Sequence, residues 1–547
     1  MQKRLTILSL LLITAFSAKA QHNAAQDTVL KGSSIEVIQS YKPQVKQAPK
    51  PKLVPTLPPV DTTHPVFNYD VPQQTLNYTY SSAPLRPLAL GKDTARSPFP
   101  NYVKAGGGNI STIYLDAGIG EFQGADYESS IHLHNISQKS DLQYQQSSLS
   151  GIEAEGTLHK HGNDWHAGID AERNQYNYYG YNHDLNTYSK DSTRQTYASI
   201  KAVIDMNHDA DAADKVSYHP LLFGSLYTAK YNIRETSLGF AAPFTYNLDT
   251  SLQAEASLNG TLTELNTSTF TIPNNFIQLA LGLNLHRDAM SGHVFLDPTI
   301  GAGNTAYLLP DILASYKISS AFRVNIGWQA SLHQNTLQQL TTENPFIYLL
   351  PGTLLSSYQI QQSRNDEVFA SFDGSLGHHF VFSAKASWWS YTALPGFLNT
   401  VTDQRQMYTT YEDVKATSLQ ASARYQVANT FSVGLSGTFY NFYSISQEHV
   451  WQQPDARIKA DLMIRPIQKL TVTGYLSLLG GMYAQNNMGD AVKMNTIVDI
   501  GGNAEYSIIP RLSAFLQVNN LLDSKYQRWQ GYQAYGLNIY AGLRLKF

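Results

Sequence analysis

Histidines and carboxylates recur at every second residue in three stretches of this chain: His132 and His134, then Glu153, Glu155 and His159, then His166, Asp170 and Glu172. Imidazole nitrogens and carboxylate oxygens are the usual ligands of a divalent cation. If the stretches are neighbouring strands about 5 Å apart, with same-face residues at every second position, these groups could converge on one. The plainer alternative is that a water-filled lumen is ordinarily lined by such residues, and no metal or other cofactor is assigned. A second set, Arg424, Arg457, Lys459, Arg465, Arg511 and Arg544, would form a basic strip on the later strands. Such a strip could draw anionic solute inward or hold an acidic arm, unless it is absorbed by pairing with Asp461, Asp499 and Glu505. The candidate lumen-binding residues are therefore His132, His134, Glu153, Glu155, His159, His166, Arg457, Lys459, Arg465 and Arg544.

Other chemistry is thinly represented. Asp205, Asn207, Asp209, Asp211 and Asp214 have a calcium-loop spacing, but Ala210 stands where that loop needs glycine and the closing Glu is absent, so the stretch reads as a solvated turn. No Gly-x-Ser-x-Gly elbow, His-Glu-x-x-His helix or phosphate-cradling glycine loop occurs, and no catalytic residue is assigned. The aromatic-rich segments 176–181 and 526–535 could stack on sugars or dock a partner, or simply belong to interfacial tyrosine belts.

Strands must position these residues. From Tyr102 onward apolar and polar residues alternate: Ala456, Ile458, Ala460, Leu462 and Ile464 oppose Arg457, Lys459, Asp461 and Arg465, and Leu470, Val472, Leu476 and Leu478 oppose Thr471, Thr473, Tyr475 and Ser477. The final stretch places Leu537, Ile539, Ala541, Leu543 and Leu545 on one face and Asn538, Tyr540, Arg544 and Lys546 on the other, ending on Phe547. One such strand would suit a soluble sandwich. About twenty of them behind a secretory signal indicate a closed antiparallel barrel in a bilayer, with an aromatic carboxyl terminus suited to the barrel-assembly machinery.

Composition agrees. Charged residues are 15% of the chain, below the roughly 25% of ordinary soluble domains, while Tyr (35), Phe (22) and Trp (6) are plentiful. Mean hydropathy is still negative, -0.28, as expected when one face meets lipid and the other water. Net charge is -3, so no basic footprint for nucleic acid exists. Cysteine is absent, which excludes disulfides and a lipid-modified amino-terminal cysteine. Lys3 and Arg4, the apolar run 5–16 and Ala18-Lys19-Ala20 form a signal peptide over residues 1–20, so the destination is the cell outer membrane. No later stretch approaches the roughly 20 apolar residues of a spanning helix.

Twelve of the 23 prolines lie between Pro43 and Pro100, so residues 21–98 read as an extended proline-rich arm, either a periplasmic tail or a strand-like filler of the lumen. It is also the candidate contact for a periplasmic or envelope protein. The barrel occupies residues 99–547. Brief turns are expected at 248–250, 318–320, 377–379, 428–430, 466–468 and 508–510, and longer polar connections at 334–364, 396–413, 446–454, 480–490 and 523–534. That asymmetry is the outer-membrane pattern of short periplasmic turns and long external loops. Roughly 20 residues per strand and half-loop give ~22 strands.

Val518-Asn519-Asn520-Leu521-Leu522-Asp523, then Lys525-Tyr526 and Gly531-Tyr532, resembles the closing hairpin of TonB-dependent outer-membrane receptors, with Leu522 where an aromatic is usual. The resemblance implies a ~22-stranded barrel for solute binding or transport. It departs in one respect: those receptors carry a globular plug of over a hundred residues, and here only about 80 proline-rich residues precede the first strand. The layout is similar to the plugless receptor-like barrels of Bacteroidetes. Residues 34–38, Ser-Ile-Glu-Val-Ile, are similar to a TonB-contacting box that would act by strand addition. The alternative from another class is a non-transporting scaffold or accessory barrel of an envelope complex.

Overall fold

The computed structural model describes residues 101–547, apart from 125, 161, 209–214, 350–359, 401–404, 445–446, 448 and 487. The expectations for the signal peptide, the arm, the 34–38 box and the second half of the calcium-like spacing lie outside the described residues. Twenty-two antiparallel strands close into one barrel. The first six are β1 (Tyr102–Gly108), β2 (Ile113–Gln123), β3 (Tyr127–Lys139), β4 (Gln146–Lys160), β5 (Asn163–Asn177) and β6 (Arg194–Asn207), and the last is Asn538–Lys546. Two short segments, Val216–Tyr218 and Thr271–Pro273, extend the same sheet. Among the described residues the α-helices are brief, α1 (Lys190–Thr193) and α2 (Leu337–Glu343), and none is long and apolar enough to cross a membrane.

Period-two alternation sets the two surfaces. Leu133, Ile152, Leu158, Trp165, Ile169, Ile200 and Ile204 are exposed on the outer face, where lipid rather than a second layer meets them. Residues opposite one another in an antiparallel ladder share a face. The registers His132 with Glu153, Glu153 with Asp170 and Asp170 with Lys201 therefore put all four on the inner wall. The same parity carries around the barrel to Arg457 and Lys459, whose neighbours Ile458 and Leu462 turn outward with Leu435 and Val433.

Closure is a continuous ladder between first and last strands, from Tyr102 with Lys546 to Gly108 with Tyr540. This seam is made close by glycine. A Cβ on Gly542 would collide with the carbonyl oxygen of Ala105, and one on Gly106 would lie 2.9 Å from Cζ of Phe515. Across the inside of the seam lie Tyr114, Phe515 and Tyr540, with Tyr114 5.8 Å edge-on to Phe515 and the Lys104 ammonium 4.3 Å above the Phe515 ring.

One end of the barrel has tight turns, such as 318–321, 377–379 and 468–469, and the other has long connections, including 178–193, 335–361, 481–496 and 520–537. Three boundaries differ from the sequence reading. Pro466 stays within strand Ala456–Ile467, Ile508 stays within Ile497–Ile509, and Arg511 is a turn residue instead of a strand residue facing the lumen. Most of 396–413 is strand, because Phe380–Asn399 and Met407–Val427 continue beyond the apolar belt as a paired ribbon. Polar residues there satisfy their backbone by pairing, which composition alone does not reveal.

Candidate functional site

The inner wall of β2 to β6 carries the histidine and carboxylate set, but as neighbouring pairs. His132 Nε2 lies 3.1 Å from Asp116 Oδ2, and the His132 and His134 rings are 5.6 Å apart. His134 packs flat over Gly151, where any Cβ would collide with the imidazole. Glu155 accepts from Ser130 Oγ at 2.9 Å and stands 4.0 Å from His166 Nε2. The other side of His166 meets Asp205 Oδ2 at 2.8 Å, and Asp205 Oδ1 meets His219 Nε2 at 2.9 Å. His159 pairs with Asp164 at 2.6 Å. Strands hold side chains parallel, so His132, His159 and His166 each find the carboxylate beside them. The groups do not converge on one point: among the described residues no group of three is placed to hold a metal ion. Asp205 and Asn207, read as part of a solvated turn, instead lie in β6, with Asp205 as a lumen carboxylate.

The basic strip is partly neutralised. Arg424 holds Asp461 through two hydrogen bonds of 2.9 and 2.8 Å, and Arg544 lies 3.5 Å from Glu505 with its guanidinium 4.5 Å over the Tyr102 ring. Arg457 donates to Gln453 at 3.1 Å and faces Tyr440, while Lys459 sits between Ser436 and Ser477 on the wall. Arg465 lies at the short-turn end, next to a register shift between Ile464 and Ile467. Further acidic groups on the wall are also paired: Asp311 accepts from His293 at 3.0 Å and Gln329 at 2.9 Å, and Glu367 pairs with Lys385 at 2.6 Å.

The long-loop end is chemically different. Loop 335–361 begins with α2, capped by Thr336 and Gln339 in reciprocal hydrogen bonds. The backbone N–H groups of Leu337 and Gln338 donate to the Glu235 carboxylate at 2.6 and 3.2 Å, and that carboxylate is 3% exposed. Tyr227 bonds Thr341 on the same helix. Beyond it, Phe346, Ile347 and Leu349 join Tyr178, Tyr197, Phe397, Met407, Trp529 and Tyr532 in one buried cluster. The Phe346 and Tyr532 rings stack at 3.4 Å, and Trp529 meets Phe397 edge-on at 5.0 Å. Burial raises the hydroxyl pKa of Tyr178 well above its ordinary range and pushes Tyr179 up to about 12, so both remain donors. Desolvation lowers Arg528 to about 10, where its guanidinium reaches the Gln452 carbonyl at 2.9 Å. The tyrosines of 176–181 and 526–535 thus turn largely inward to the loop core.

No protein-family model matches the sequence, and no curated protein matches it. Solved structures do. The FrpB iron transporter from Neisseria meningitidis (F3-3 variant) matches with a TM-score of 0.62 at 10% identity, covering 82% of this chain and 81% of that one. The pyoverdine outer-membrane receptor FpvA from Pseudomonas aeruginosa PAO1, bound to pyoverdine, gives 0.61 at 12% identity over 82% and 78%. The ferric-catecholate import receptor Fiu from E. coli K12 gives 0.59 at 11% identity over 82% of each chain. The chain has the fold of an outer-membrane receptor barrel. At these identities the likeness concerns architecture and carries no residue across.

Within this receptor fold, the ladder registers put His132, Glu153 and Asp170 on one face, and the sequence reading missed the loop core. The signal was present: Thr336-x-x-Gln339 is a capping box set before Leu337, Leu340 and a run from Phe346 to Leu350 inside a segment otherwise read as polar. Glu235 left no such mark, because its role depends on a helix 102 residues away in sequence.

Proposed function

We propose that the chain is a receptor-like outer-membrane barrel of the TonB-dependent class, of the plugless kind, which binds or passes a polar solute. The observation that carries this reading is the pairing of a charged inner wall with long connections at one end that pack into a buried aromatic core, an arrangement suited to a lumen that binds a polar solute behind a structured mouth. The solute-contacting positions are His132, His134, Glu153, Glu155, His159 and His166, together with Arg457, Lys459, Arg465 and Arg544. Residues 21–98 act as an extended arm that partly occupies the lumen and reaches a periplasmic partner, residues 34–38 supply an added strand to the energy-coupling protein, and Phe547 addresses the barrel-assembly machinery.

Planar-bilayer conductance tests this. Full-length protein should be nearly silent, and deletion of residues 21–98 should yield discrete currents. Silence in both forms would sink the transport reading. The same structured mouth favours a second reading, a non-transporting anchor in an envelope complex; it predicts silence in both forms together with a stoichiometric partner lost on deleting the arm.

A further inference from the structure

The outer face of β3 to β6 changes character toward the long connections. Leu133, Ile152 and Ile200 share one row of the ladder and are exposed on the lipid side. Two residues further along, the same face is polar: Asn135 stands opposite Ser150, Ser150 opposite Arg173, and the row runs on through Ala198 and Thr228 to Arg234. The row beyond is Ser137, Ser148, Gln175 and Thr196, with Lys139 next on β3. Asn135 donates to Ser150 Oγ at 2.6 Å, and Ser137, Lys139, Ser148 and Gln175 line a hollow of about 230 Å³. Lys139, Arg173 and Arg234 are exposed, and among the described residues none of them meets a carboxylate. Glu264 stands opposite Thr236 and leaves Arg234 unpaired. In the lumen, by contrast, Arg424, Lys385 and Arg544 each have an acidic partner. A strand end does not itself require such a polar surface: Ile277, Ile300 and Leu308 keep the outer face apolar to the long-connection end of their own strands.

Unpaired cations beside hydroxyls and amides, set directly over an apolar surface, fit an amphiphile whose head carries phosphate and hydroxyl groups and whose tails are hydrocarbon. Guanidinium takes phosphate through two parallel hydrogen bonds, and basic surfaces at headgroup level recognise anionic lipid. Long connections lie on the external side of an outer-membrane barrel, so the leaflet concerned is the external one. We propose that the outward hollow on β3 to β5 binds the phosphorylated head of a glycolipid of that leaflet. Arg173 and Lys139 hold the phosphate from below and above, Ser148 and Gln175 meet the sugar hydroxyls, and the acyl chains lie over Leu133, Ile152 and Ile200. Arg234 offers a second cation on the Arg173 row, three strands away or roughly 14 Å, for a further anionic group on the same head. The site is on the outside of the cylinder and does not depend on what the lumen carries.

Native mass spectrometry of the full-length protein, released from detergent micelles, counts the lipid it retains. The probes are a phosphorylated acylated diglucosamine, the same lipid without its phosphates, and phosphatidylglycerol, each offered at equal concentration. The phosphorylated glycolipid should be retained at least tenfold over either of the others. Arg173→Gln with Lys139→Gln should cut that retention at least fivefold, and Ser148→Trp, which fills the hollow and leaves both charges, should do the same. Arg424→Gln, in the lumen, should retain lipid as the wild type does, and heat-modifiable gel mobility confirms that each variant is folded. Wild-type selectivity needs no variant, so the proposal is overturned if the dephosphorylated lipid or phosphatidylglycerol is held equally well. It is also overturned if the acyl-free phosphorylated disaccharide or an acidic peptide displaces the glycolipid at equal concentration, which would make the ligand a soluble anion or a protein, or if the folded variants retain lipid undiminished.

Discussion

Tyr197 and Asp205 sit on one strand, on one face, and have different surroundings. The Tyr197 ring is 3% exposed beneath loop 335–361 and donates to a carbonyl of that loop, whereas Asp205 is held between His166 and His219 on the open wall. Strand periodicity decides which side of the sheet a residue faces. What that side contains is decided by the connections, which bury apolar and aromatic groups at one end and leave water over paired charges further down. The loop core should therefore behave like the interior of a globular protein, with steep penalties for truncation, and the wall like a protein surface.

The sharpest test is Phe397→Ala. Its side chain is fully buried, and loss of a buried phenylalanine costs about 3–5 kcal/mol. Amides around Phe346 and Tyr532 should lose protection to that extent while the barrel keeps its heat-modifiable gel mobility; unchanged exchange would show that no cooperative core exists. Glu235→Ala comes next, orphaning the Leu337 and Gln338 N–H groups at roughly 1–3 kcal/mol each, and proteolysis within residues 337–349 should accelerate. Arg424→Gln should matter least to stability, under about 1 kcal/mol, because the Arg424 to Asp461 pair is open to water. A larger drop in melting temperature would mean the wall is as dry as the mouth.

Acidification separates the two ends by sign. At the short-turn end, hydrogen bonds from the Ser251 backbone and hydroxyl and from the Leu252 backbone hold Asp249 below the usual carboxylate range. That turn is stabilised above the ordinary carboxylate pKa and loses this as pH falls through the lowered folded value. In the long-loop end burial raises Asp455 despite His449 and Lys493, so its contribution is complete below the ordinary value and declines as pH rises through the raised one. Hydrogen exchange on lowering pH through the carboxylate range should loosen 248–252 and tighten the neighbourhood of Asp455; movement in the same sense at both sites would contradict these assignments.

The barrel was legible because its information is local. Leu543 and Leu545 against Arg544 and Lys546 disclose two faces within four residues, and the ~22 strands expected from spacing equal the number found. His132 and Glu153 could be set on one wall from parity alone. Their partners could not: His219 reaches Asp205 from a connection with no periodicity, and Asp116 was not singled out because β2 sets it apart from its other carboxylate, Glu121, among glycine and apolar residues. The loop core joins Tyr178, Phe346 and Tyr532 from three separate connections with Phe397 from the end of a strand, and no spacing rule links residues whose proximity is created by closing the cylinder.

The glycine-lined seam has a consequence for how the cylinder comes apart. Midway along, at Gly107 and Ala541, its outer side offers only a short side chain and main chain, with Val103, Leu543 and Leu545 exposed on the same face toward the short-turn end, while the rings of Tyr114, Phe515 and Tyr540 and the Lys104 ammonium brace it from within. The weld is riveted from the wet side. At that midpoint a detergent working from the lipid side finds little side chain to grip, whereas water or denaturant arriving through the bore meets the braces directly.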